Sequence, residues 1–253
     1  MKISKTTIFV LFWVTTFNTY ANNIRIVAEH LPPYQIVDGT QVTGLSVDIV
    51  NALLAITKDQ TKIEVFPWAR AYQLALTKPN IFIMTLSRSF KREEQFNWVG
   101  QVASVDMHVW RLKSRPEISP TNIQDLTKYV IGVQRGDHHH EALVNILGDQ
   151  QKLSVTSFKA QEMEMLFRER VDLILGNPKT LPTRINRIGL DANLVESALK
   201  VNQVSAPLYL AFSKQTSQAT VDTYIKAFKQ LEENGTLSKL RAKWLNRPST
   251  KSP

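Results

Sequence analysis

The segment Thr-Leu-Ser-Arg-Ser-Phe-Lys-Arg-Glu-Glu-Gln-Phe-Asn-Trp-Val-Gly, Thr85 to Gly100, sets the cations Arg88, Lys91 and Arg92 just ahead of Glu93 and Glu94. Such a run is either a solvated cluster paired with its own glutamates or the source of a guanidinium, whose planar, permanently charged fork suits a carboxylate. A second stretch, Asp137-His138-His139-His140-Glu141, gathers imidazoles and carboxylates, which are ligands for first-row metals. Neighbouring residues of a helix point to different sides, however, and only His138 and Glu141 share helical spacing. The simpler reading makes Asp137 a helix N-cap, turns His138 toward a cleft, leaves His139 and His140 in solvent and expects no metal or other cofactor. Acid–base chemistry would fall to His138, Glu29 or Glu141, with no nucleophile–base pair or phosphate loop in support, so a non-enzymatic role is expected.

These residues need a frame. Strand-like runs alternate with helix-like ones: Ile24–Ala28, a helix carrying Leu45, Ile49, Leu53 and Ile56, then Ile63–Phe66, a helix over Ala69–Leu76, and Ile81–Met84. After Pro116 and Pro120 the rhythm restarts, with strands at Tyr129–Val133, Ser154–Phe158 and Val171–Leu175 and helices at Glu141–Leu147 and Ala160–Glu169. Alternation of this kind predicts mostly parallel sheets covered by helices, hence an α/β chain of two lobes. Near the end, Val221, Tyr224, Ile225, Phe228 and Leu231 share one helical face, Asn234-Gly235 stops that helix, and Thr236 caps a last one through Leu245. In open α/β sheets ligands bind beyond the carboxyl ends of strands, which singles out Glu29–Tyr34, Pro67–Arg70, Thr85–Arg92 and Gln134–His138.

Composition narrows the setting. The chain has 253 residues, 43% of them hydrophobic, no cysteine and a net charge of +9. Lys2 and Lys5 precede the apolar run Ile8–Val14, and Thr19-Tyr20-Ala21 supplies small residues for a cleavage site, so residues 1–21 read as a secretory signal peptide cut after Ala21. The apolar run falls short of the roughly 20 residues a membrane span needs. Removing two lysines and no acid leaves 232 residues at +7, and an exported chain without cysteine needs no disulfide. A periplasmic location follows, and nucleic acid drops out as a partner because the positive charges are scattered. The tail Pro248–Pro253 reads as frayed.

Several motifs in order resemble the type II periplasmic solute-binding proteins of family 3, the amino-acid receptors of ABC importers. They are Pro32-Pro33-Tyr34 with Gly44–Val50, Pro67-Trp68-Ala69-Arg70-Ala71-Tyr72, Ser87–Glu93 leading to Trp98-Val99-Gly100, Ile131–Asp137, and Asn234–Leu237 with Lys243-Trp244. The resemblance implies a two-lobe type II fold with lobe 1 at 22–103 and 206–253, lobe 2 at 104–205, and crossings near Ala103-Ser104 and Ser205-Ala206. It implies that Arg92 grips the ligand's carboxylate, that Ser87 and Ser89 assist, and that Trp68 packs on the ligand or serves as core. Gln134 to His138, including Asp137, would complete the site from the second lobe. Arg88 and Lys91 stay surface cations.

One departure concerns substrate. Where the family places an aspartate for the ligand's ammonium, this chain has Asn177, and at the first strand Ala28 stands beside Glu29. Either Glu29 takes the ammonium or the ligand is a small organic anion or amine-masked derivative, and the second is preferred. The resemblance thus implies a monomeric receptor that closes on a small carboxylate-bearing solute and hands it to an ABC permease. A periplasmic enzyme of the cyclohexadienyl dehydratase type and a ligand-sensing receptor for a membrane signalling protein are the alternatives.

Overall fold

The computed structural model describes residues 24–148 and 152–245, so the expected signal peptide and frayed tail lie outside the described residues. Two five-stranded mixed sheets organise the chain. The first runs β4-β1-β5-β12-β6, from strands β1 (Arg25–Ala28), β4 (Ile63–Val65), β5 (Ile81–Ser87), β6 (Phe96–Ala103) and β12 (Leu208–Ser213). Here β1 pairs in parallel with β4 and β5, while β12 runs antiparallel to β5 and β6. The second runs β11-β7-β10-β8-β9, from β7 (His108–Leu112), β8 (Val130–Gln134), β9 (Lys152–Thr156), β10 (Leu173–Gly176) and β11 (Val195–Lys200). Its β8, β9 and β10 are parallel, and β7 opposes β10 and β11. A short hairpin, β2 (Ile36–Asp38) with β3 (Gln41–Thr43), completes the strands described. The chain leaves the first sheet after Ala103, enters the second at His108, and returns between Lys200 and Leu208.

Each sheet is covered on both faces because its central strands are apolar on both sides, as buried parallel strands require. On one face of the first sheet lie α1 (Leu45–Thr57), α6 (Gln218–Glu233) and α7 (Thr236–Leu245), around Leu45, Ile49, Leu53, Phe82, Phe212 and Phe228. On the other lies α2 (Trp68–Thr77), around Trp68, Ile83 and Phe96. The second sheet takes α3 (His138–Leu147) on one side, and α4 (Lys159–Phe167) and α5 (Leu181–Arg187) on the other.

Some expectations need correction. The strand placed at Ser154–Phe158 lies at Lys152–Thr156, because the N–H groups of Ser157 and Phe158 donate to Gln161 Oε1 and belong to the entry of α4. Thr85 to Ser87 are the end of β5 rather than a turn. On α6 the buried face passes through Ala227, and Ile225 is exposed. Thr236 opens α7 as a helical residue whose N–H donates to Asn234 Oδ1, so the capping side chain is Asn234; only Gly235 takes the left-handed conformation, at φ +77°.

Gly44 fixes where the loop after β1 ends. It sits at φ +131°, and a Cβ there would lie 2.3 Å from the Tyr34 carbonyl oxygen. The N–H groups of Leu45 and Ser46 donate to the carbonyls of Pro33 and Tyr34, so the start of α1 clamps that loop. Gly44→Ala is expected to lower stability by about 2–3 kcal/mol through backbone strain and steric conflict together; a denaturant midpoint unchanged from the parent would show that the loop yields.

Candidate functional site

A cavity of about 70 Å³ lies between the two sheets at the ends of their strands. Of the residues the sequence points to, Glu29, Tyr34, Trp68, Ser87 and Arg92 line it from the first lobe. Gln134, Asp137, His138 and Asn177 line it from the second. Ser89 does not: it precedes the 3-10 turn Phe90–Gln95, and its carbonyl accepts the Arg92 N–H at 2.9 Å.

Arg92 is fully buried, at 0% exposure. Its guanidinium lies against the rings of Tyr72, 4.7 Å from the centroid, and Trp68, at 5.8 Å. Those rings stack because they stand four residues apart on α2. Across the cleft, Arg92 Nη2 donates to the Gly136 carbonyl at 3.1 Å and to Glu141 Oε2 at 3.2 Å, while Trp68 Nε1 donates to the same carbonyl at 2.9 Å. Gly136 presents that oxygen from a turn at φ +69°, between the end of β8 and the start of α3. Arg92 Nε and Nη1 have no hydrogen-bond partner among the described residues. Gln134 Oε1 and His138 Nε2 share that condition. Arg88, by contrast, pairs with Glu93 and Lys91 is exposed.

Thr85 adds strain to the wall. It is a β-branched residue at φ +58°, in the register shift where β5 pairs with β12, and its hydroxyl is held by Gln35 Nε2 and by Ser46 Oγ at 2.7 Å. A β-branched residue in that region is an outlier that surrounding contacts must hold in place. The buried Gln35–Thr85–Ser46 group supplies those contacts just before Ser87.

On the second lobe the expected N-cap geometry is present, with His140 N–H donating to Asp137 Oδ1 at 2.7 Å. The other Asp137 oxygen is taken by Lys159 and His139, and Lys159 also reaches Glu162 at 3.2 Å. His139 and His140 therefore do not stand in solvent. His139 lines the cavity beside Asp137, and His140 Nδ1 accepts the Gly136 N–H at 3.2 Å. No group of three possible metal ligands is found among the described residues. Thr85, at the head of the singled-out Thr85–Arg92 stretch, lines the cavity as well, whereas the sequence reading missed Lys159, Thr180 and Arg184.

Burial dominates the electrostatics. It pushes Glu29 up to about 7, against the Gln134 amide that donates to its Oε2 at 2.9 Å and against the charge of Lys159. It likewise pushes Glu162 to about 7, against Lys159. Burial, with His139 and Arg92 nearby, lowers His138 to about 4, so its imidazole is neutral near pH 7. At Asp137 burial pulls upward but loses to Lys159 and His139, which hold the carboxyl well below its usual range.

A scan against family models matches the bacterial extracellular solute-binding proteins, family 3, over residues 24–247. No curated protein sequence matches. Among solved structures, an amino acid ABC transporter substrate-binding protein, AbpA from Streptococcus pneumoniae, bound to L-arginine, is 15% identical with a TM-score of 0.75, covering 90% of this chain and 96% of that one. A histidine kinase sensor domain with similarity to periplasmic binding proteins is 16% identical, TM-score 0.75, covering 88% and 96%. The ancestral amino-acid-binding protein AncCDT-1, a precursor of cyclohexadienyl dehydratase, is 16% identical, TM-score 0.72, covering 88% and 95%. These likenesses establish a type II periplasmic-binding-protein fold.

The raised carboxyls carry a pH dependence. Between the usual 4.5 and about 7, the folded protein holds protons on Glu29 and Glu162 that the unfolded chain releases, so stability falls as pH rises through that window. Asp137 acts in the opposite sense, its contribution being lost on acidification below the ordinary carboxylate range. His138, lowered to about 4, works the other way below about pH 6.5, so the melting temperature is expected to fall between about pH 6.5 and 8, and Glu29→Gln with Glu162→Gln to flatten that fall by about 3–6 °C. An unchanged slope in the double variant would remove these two groups from the account.

Proposed function

We infer, from the premise that the chain belongs to family 3 of the bacterial extracellular solute-binding proteins, that it is a non-catalytic receptor for a small carboxylate-bearing solute. The observation that carries this reading is Arg92, a fully buried cation with two donor nitrogens, Nε and Nη1, that no atom of the described residues satisfies. Buried donors of this kind are costly unless an acceptor arrives, and a guanidinium takes a carboxylate through charge-assisted bonds. Residues 22–103 and 206–253 form one lobe and 104–205 the other, joined by two crossings. Solute held by Arg92, Ser87 and Trp68 from one side and by Gln134, His138 and Asn177 from the other would close them. Exported to the periplasm as a monomer, the closed form is what an ABC permease would recognise.

Glu29, poised near neutrality in the cleft, is the observation that favours a second, enzymatic reading. Among the described residues its hydrogen-bond partner is the Gln134 amide, and no hydroxyl or amine nucleophile is bonded to it. Incubation with prephenate or arogenate is expected to leave both unchanged, and product formation would promote that reading.

Thermal-shift screening of amino acids, organic acids and small peptides, with mass spectrometry of anything co-purified, identifies a binder. Arg92→Ala is then expected to weaken it by about 100-fold or more, as loss of a buried charged pair does, with the fold retained. Arg92→Lys should recover little, because a point charge lacks the fork. Affinity unchanged in Arg92→Ala would sink the assignment.

A further inference from the structure

The cleft holds a second arginine with which no carboxylate among the described residues forms an ion pair. Arg184 stands one turn into α5 and lines the same cavity as Arg92, from the opposite lobe. The acids near it are already engaged: Asp137 and Glu162 bond Lys159, and Glu29 accepts from Gln134. Burial is the largest influence on Arg184 and works against its charge; Glu162, Glu29, Tyr34 and Asp137 act on it from a distance, without an ion pair. Arg184 is itself only half-buried, so its guanidinium is open to the cavity and can receive an anion there.

Asn177 points to the same chemistry. The backbone N–H of Lys179 donates to its side-chain oxygen at 2.8 Å, and a backbone donor can only meet the oxygen, which fixes the orientation of the amide. The oxygen is spent in the turn that leads into α5, and Asn177 therefore has N–H donors left for the cavity it lines. Donors from Asn177 and a guanidinium from Arg184 lining one cavity disfavour an ammonium and suit an acceptor. Glu29, raised by burial, carries a proton for part of the time at neutral pH and then presents a donor to an anion rather than a charge.

We propose that Arg184 and the Asn177 amide form a second anion subsite facing Arg92, and that the solute is a small dianion of the dicarboxylate class without a charged amine. The proposal rests on the carboxylate role of Arg92 given above. Because the two arginines belong to different lobes, a dianion ties the lobes together, whereas a monoanion engages one of them.

Calorimetric titration of the purified protein with succinate, glutarate, succinamate and L-glutamate tests this. The diacids are expected to bind at least about 10-fold more tightly than the monoamide succinamate, the worth of one charged hydrogen-bonded contact. Glutarate should also exceed L-glutamate. Arg184→Gln should bring succinate and succinamate to the same affinity, and Arg184→Lys should restore part of the preference. Equal affinity of diacid and monoamide for the parent protein overturns the proposal even if Arg184→Gln fails to fold, as does a preference that survives Arg184→Gln or tighter binding of L-glutamate than glutarate. If carboxylates bind and depend on Arg92 without preferring two charges, this inference alone falls. If none of the four binds, the carboxylate role of Arg92 falls with it.

Discussion

A guanidinium taken wholly out of water constrains everything around it. A buried cation must be surrounded with acceptors and ring faces. Tyr72 and Trp68 lie against it from α2, and Gly136 and Glu141 accept from it across the cleft. The Gly136 turn, the 3-10 turn that carries Arg92 and the strained bend at Thr85 are the local means to that arrangement. The same Gly136 oxygen receives Trp68 Nε1, so one carbonyl of the second lobe takes two donors from the first.

The far wall obeys a different logic. Asp137, Lys159 and Glu162 form a buried alternation of charge in which Lys159, raised to about 12 by the two acids against the pull of burial, serves both carboxylates. Such a set holds α3 and α4 together: one Asp137 oxygen caps α3 and the other meets Lys159 and His139. Asp137 thus holds the wall while it lines the cavity. Glu29 and Arg184, outside this set, keep the chemistry of the wall open.

How far the sequence could be read follows from where each signal sits. The parallel strands β1, β5, β8 and β10 are short apolar runs bounded by turns, and they are plain. β7, β11 and β12 are harder, because half-buried positions break their pattern and their antiparallel partners lie far away in sequence. Arg92 could be named because it falls in a motif. Arg184 and Lys159 could not, since a lone cation on a helix looks the same whether it faces solvent or a cleft. His139 was misjudged because helical geometry separates neighbouring side chains but does not say which neighbour a folded second lobe will cover. Thr85 carries no sequence signal either, as a left-handed threonine is imposed by its surroundings.

The geometry of the guanidinium fork sets one more condition on any solute. A carboxylate that binds through two parallel bonds uses Nη2 together with either Nε or Nη1, because Nη2 belongs to both edges of the fork. In the closed arrangement Nη2 already serves Gly136 and Glu141. The backbone carbonyl is fixed by its turn, but Glu141 reaches in on a flexible side chain from the first turn of α3. A bidentate solute carboxylate therefore takes the place of Glu141, an acid of the same kind, at Nη2, and its gain is the added bond to Nε or Nη1, which the described residues leave unsatisfied. Every carboxylate makes that bond alike, so on the receptor reading selectivity among carboxylates must arise from what the rest of the solute meets at Trp68, Gln134, Asn177 and Arg184.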